Sequence, residues 1–194
     1  MKSLLGLSRV IDRLSGLVGS VIIWLVLASV LISALNAVVR KAFSVGSNAY
    51  LELQWYLFAA VFMLGAGYAF LHNVHVRIDF LSAQLTARAR NVIDIIGIIV
   101  FLIPLCALLV WLSWPLFTNA WVSGEMSQNA GGLIRWPVYL LLPAGMGLLL
   151  LQALSELIKR FAFLKGLIPD PLAHAAPGEE HGKDTAAPSG GAQR

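Results

Sequence analysis

The sequence predicts an all-α integral membrane protein with four transmembrane helices and both termini in the cytoplasm. Three observations carry this. First, residues 14–39, 53–76, 95–124 and 136–155 contain no Asp, Glu, Lys or Arg. About 20 apolar residues in a helix cross a hydrocarbon core of about 30 Å, so each run is long enough to span. Soluble core helices are shorter and keep a polar stripe. A closed barrel would need alternating strands, and the sequence has none of that pattern. Second, the basic residues are lopsided. Lys2, Arg9, Arg13, Arg77, Arg88, Arg90, Lys159, Arg160 and Lys165 fall on one side of the spans, against Arg40, Lys41 and Arg135 on the other. Nine against three puts both termini inside. Third, Trp55, Trp114, Trp121 and Trp136 fall near the outer helix ends, as an interfacial aromatic belt requires.

The elements follow in order. Residues 1–13 read as a short amphipathic lead-in, with Leu4, Leu7 and Ile11 on one face and Arg9, Asp12 and Arg13 on others. The first span covers about 15–39. Its apolar run exceeds the usual signal-peptide core of about 7–15 residues and no A-x-A-like site follows, so it is read as uncleaved. Ser44 to Asn48 is a turn cluster, with Ser47 or Asn48 placed to cap the second span, about 51–74. Ile78, Leu81, Leu85, Ala89 and Val92 then recur every three or four residues. They form an apolar stripe on a short interfacial helix, or on a helical extension of the third span, about 92–118. Pro104 predicts a kink there. A polar, glycine-rich loop, Ser123 to Gly132, leads to the fourth span, about 136–158, which opens at Trp136-Pro137 and holds Pro143, Gly145 and Gly147. Residues 1–165 form one transmembrane domain. Residues 166–194, rich in Pro, Gly, Ala and charge, read as a disordered tail.

Few groups suited to chemistry lie near the membrane. His72 and His75 are the only histidines close to a span. Haem held between helices needs ligands from different helices, and zinc needs three or four ligands with only Asp79 nearby. No cofactor is expected, and His75, Arg77 and Asp79 read as an interfacial polar cluster that stops the second span. Glu52 is the one acid at an outer helix start, placed to meet the positive helix end and to pair with Arg40 or Arg135. No ionisable residue is expected in mid-span, where a self-sufficient transporter would carry one. The single cysteine, Cys106, excludes an intrachain disulfide. Net charge +4 is accounted for by the positive-inside bias and anionic lipid, without a nucleic-acid partner.

The pieces Asn36-Ala37-Val38-Val39-Arg40, Glu52 to Phe58, Leu64 to Ala69, His75-Val76-Arg77-Ile78-Asp79, and Trp136-Pro137 with Tyr139, Pro143 and Gly145 share an order and spacing. Together they resemble the small membrane subunit, DctQ-like, of tripartite ATP-independent periplasmic (TRAP) transporters. Gly46 to Trp55 and Gly124 to Pro137 resemble its mannitol/chloroaromatic-labelled branch, whose binding proteins resemble ones that take 2-oxo or 2-hydroxy monocarboxylates. The resemblance implies an inner-membrane scaffold for a large permease subunit that imports an organic acid on a sodium gradient. It also implies part of a docking surface for a periplasmic binding protein. The candidate partner-interface residues are Asn36, Arg40, Glu52, Trp55, His75, Arg77, Asp79, Leu81, Leu85, Glu125, Arg135, Pro137, Tyr139 and Pro143. The alternative is the membrane anchor of a redox enzyme holding haem or quinone.

Overall fold

The computed structural model describes residues 2–44, 46–72 and 85–171. His75, Arg77, Asp79 and Leu81, with Ile78 of the expected interfacial stripe, lie outside them. All regular structure among the described residues is helical: α1 (Lys2–Phe43), α2 (Asn48–Leu71), α3 (Ala87–Gly97), α4 (Ile103–Ser123) and α5 (Trp136–Leu164). A π-helical turn, Ile98–Leu102, joins α3 to α4 without a break. Four helices are therefore long and apolar enough to cross a membrane: α1, α2, the continuous helix from Ala87 to Ser123, and α5.

They run up and down, α1 and α2 against α5, and α4 against α5. Lys2 and Pro171 come to the same end, hereafter the terminal end. The 44–47 and 124–135 connections form the other, the loop end.

Helix α1 has 42 residues and is about 63 Å long at 1.5 Å per residue, roughly twice the hydrocarbon thickness. The expected lead-in is thus not a separate element but the first third of α1, beyond the apolar run. Ala87 onward makes the same point for the stripe: Ala89 and Val92 sit on a helical extension of the third span.

Proline 104 explains the π turn. It has no N–H to return to the preceding turn, and the Ile103 N–H bonds Ile98 O instead. The helix absorbs the missing bond by widening one turn.

Small residues set the helix spacing. A Cβ on Gly145 would strike the Met63 backbone, one on Gly67 would sit 3.4 Å from Leu148 O, and one on Gly19 would strike the Tyr68 ring. Close approach of α2 and α5 thus depends on Gly67 and Gly145. Toward the terminal end, Ile95, Ile98, Ala153 and Leu157 form the apolar core, flanked by Phe70, Leu102, Ile103 and Leu164.

Of the expected tail, residues 166–171 are described. Gly166 adopts a left-handed conformation (φ 71°) that ends α5, and the Leu167 N–H bonds Ala162 O at 2.9 Å.

Candidate functional site

At the loop end α4 stops at Gly124, which takes the left-handed conformation (φ 63°) suited to glycine. The chain then folds back on itself. Ser127 N–H bonds Leu133 O and Arg135 N–H bonds Glu125 O, both at 2.9 Å. Met126 faces Ile134, and Gly131 (φ 70°) lies in the turn.

One face of α2 holds this loop at three points. Asn48, Glu52 and Tyr56 are four apart and so stack along one side of the helix. Asn48 Nδ2 donates to Ala130 O (3.0 Å) and Tyr56 OH to Ile134 O (3.1 Å). Between them Glu52, 2% exposed, accepts from three donors. These are the Ser127 hydroxyl, Asn129 Nδ2 at 2.8 Å and the Leu133 backbone N–H at 2.6 Å. A Cβ on Gly132 would collide with Ser127 and approach the Glu52 carboxylate, so glycine lets the loop close over it.

This corrects the expected pairing of Glu52. It pairs with neither Arg40 nor Arg135; its partners are loop donors. Arg135 instead pairs with Glu125 at 3.0 Å and donates to Tyr139 OH at 3.3 Å, on the partly exposed rim. Trp121 and Trp136 meet edge to face, centroids 4.5 Å apart, at the base of the loop. Ser47 takes the N-cap position of α2 without a side-chain cap bond, and Asn48 is spent on the loop.

The terminal end is built of charge. Asp12 of α1 accepts from Gln152 Nε2 (2.9 Å), Ser155 Oγ (2.8 Å) and Lys159 Nζ (3.2 Å) of α5. Ser15 donates to Gln152 Oε1 at 2.7 Å. With the Ser155 hydrogen given to Asp12, Ser8 donates to Ser155 at 2.7 Å. Glu156 takes both Lys159 and Arg160, the latter at 2.6 Å. Arg160, 1% exposed, also reaches Asp94 of α3 at 2.9 Å. Asp170 then bonds Asn91 at 2.9 Å and pairs with Arg90 at 3.7 Å. Lys159 and Arg160, counted above among surface charges that set orientation, are thus members of an internal network joining α1, α3 and α5.

The remaining predicted residues are spread out. Asn36 and Arg40 line a cleft between α1 and α2. Trp55 is half exposed and packs edge-on to Tyr56 at 4.5 Å. Pro137 lies in the first turn of α5, Pro143 is buried within it, and Leu85 is exposed just before α3.

A family model for the DctQ component of tripartite ATP-independent periplasmic transporters matches residues 29–163. The chain belongs to this family. No curated protein and no solved structure matches it. Membership makes it a component of a TRAP transporter, a multi-pass protein of the inner membrane associated with other TRAP components, and gives the redox-anchor alternative no support. The matched segment contains every residue of the Glu52 cluster. Ser8, Asp12 and Ser15 lie before it.

Proposed function

We propose that this DctQ-family chain is the fixed scaffold of a three-part importer, with no catalytic role of its own. A large permease subunit moves an organic acid inward on a sodium gradient, and a periplasmic binding protein delivers it. The substrate is a 2-oxo or 2-hydroxy monocarboxylate, as the branch resemblance implies. The terminal end faces the cytoplasm and the loop end the periplasm, a reading supported by the excess of Lys and Arg beside the terminal end.

The observation that carries the docking role is the loop pinned on Glu52. It presents Glu125 and Arg135 on a rim already ordered before any partner arrives. A pre-ordered rim loses less entropy on contact than a free loop would. Complementary rim charges mainly raise the association rate. Trp55 and Tyr139 flank this docking surface. Pro137 and Pro143 shape the helix beneath it. His75, Arg77, Asp79, Leu81 and Leu85 would meet the permease at the cytoplasmic interface.

The test is reconstitution. Permease and binding protein in proteoliposomes should take up substrate only when this chain is present at roughly one copy per permease. Full uptake without it would end the scaffold reading.

A further inference from the structure

A cleft between the end of α1 and the start of α2 lies at the loop end, beside the Glu52 cluster, with which it shares Asn48. It encloses about 330 Å³ and is lined by Asn36, Arg40, Gly46, Ser47, Asn48 and Leu51. Asn36 and Arg40 are four apart and share a face of α1. Among the described residues, neither the Arg40 guanidinium nor the Asn36 amide has a hydrogen-bond or ion-pair partner. The Ser47 hydroxyl is likewise free of a cap bond. Ser29 and Ser33 continue the same face into the apolar run, and the Ser29 hydroxyl is buried without a partner. The acids of this end are already committed, Glu52 to the loop and Glu125 to Arg135. The cleft therefore holds an uncompensated cation beside unused neutral polar groups.

We propose that this cleft binds the phosphate of a membrane phospholipid. A guanidinium offers paired donors that match phosphate oxygens, and the Asn36 amide and Ser47 hydroxyl add neutral ones. Depth agrees. The uncharged run of α1 ends at Val39, so Arg40 stands at its edge, where headgroups lie. Below the cleft, Leu51, Phe58 and Phe62 are exposed along one face of α2, with Phe58 and Phe62 stacked at 6.5 Å. That strip suits an acyl chain. A carboxylate from a partner subunit would use the same donors, and the experiment below separates the two.

The experiment uses the complex purified with its TRAP partner subunits in mild detergent. Native mass spectrometry counts phospholipid retained through graded delipidation, in wild type, Arg40→Gln, Arg40→Lys and Asn36→Leu. Arg9→Gln serves as a control at the other end. One phospholipid per copy should persist in wild type and in Arg9→Gln. Its retention should fall about tenfold or more in Arg40→Gln, the loss of a charge-assisted contact, and less in Arg40→Lys and Asn36→Leu. Phosphatidylglycerol, but not inorganic phosphate, should raise the melting temperature of delipidated wild type and leave Arg40→Gln unmoved. Equal lipid retention in Arg40→Gln would overturn the proposal. So would protection by inorganic phosphate alone, which would make this a free-anion site. Loss of the permease from Arg40→Gln with an unchanged lipid count would also overturn it, assigning Arg40 to a partner carboxylate.

Discussion

The two ends of this bundle hold their acids in opposite ways. At the loop end Glu52 is surrounded by a hydroxyl, an amide and a backbone N–H, all neutral and all from one loop. Its charge is dispersed by hydrogen bonding, and the neighbouring ion pair, Glu125 with Arg135, stays on the rim. At the terminal end Asp12, Glu156 and Asp94 are met by Lys159 and Arg160, which join three helices. The first arrangement shapes a surface and the second fixes how helices sit together. Damage at the loop end should therefore stay local, and damage at the terminal end should spread through the bundle.

The largest effect is expected from Arg160→Ala. It leaves Glu156 with Lys159 as its one remaining cation and takes a cation from Asp94, and breaking a buried pair in this one-sided way costs up to about 3–5 kcal/mol. Melting in detergent should drop sharply and yield should fall. Glu156→Leu combined with Arg160→Leu should recover part of the loss, since apolar replacements leave fewer buried charges. A melting temperature unchanged in Arg160→Ala would show that the network carries no stability.

Glu52→Leu should rank next and should look different. The Leu133 N–H and the Ser127 and Asn129 side chains lose their acceptor, so the loop frees while the helices stay packed. Hydrogen exchange over residues 126–134 should rise about tenfold or more, with little change in α5. Half-saturation of uptake by binding protein should rise in parallel. Equal loosening of α5 would erase the distinction between the two ends.

Glu125→Lys and Arg135→Glu should have the smallest effect on stability, because the pair is exposed. Each should still raise the binding-protein concentration needed for half-maximal uptake, several-fold, with complex levels normal and with a smaller difference at high salt. Kinetics indistinguishable from wild type in both reversals would remove the loop from the docking surface.

The four spans were legible because uninterrupted apolar runs are a signal of length alone. Glu52 was also visible as an isolated acid at a helix start, yet its partners lie some 75 to 81 positions away and no local pattern points to them. The spacing Asn48–Glu52–Tyr56 did carry a hint: three hydrogen-bonding groups on one face of an otherwise apolar helix need an acceptor or donor somewhere. The terminal network was harder. Lys159 and Arg160 have the look of ordinary interfacial charges, and Asp12 that of a solvated lead-in residue. Gln152 and Ser155, polar positions in an apolar run, were the available clue that α5 meets another polar surface. Pro104 announced a disturbance but not its form, because a missing N–H permits either a bend or a widened turn.

That widened turn has a consequence for angular phase. The residues facing inward along the third span are Asn91, Ile98, Cys106, Ser113 and Ala120, all at most 5% exposed. They are spaced by seven on either side of the π turn and by eight across it. A straight helix turns about 100° per residue, so the turn accommodates one supernumerary residue and keeps the two halves pointing the same way. Removing a single residue from 98–102 would restore regular winding. It would leave the two halves in phase, because seven residues at about 100° each make close to two full turns. Regular winding with the extra residue kept, as Pro104→Ala would favour, would instead swing α3 by about 100° relative to α4, turn Asn91 and Asp94 away from Asp170 and Arg160, and unfasten contacts several turns distant.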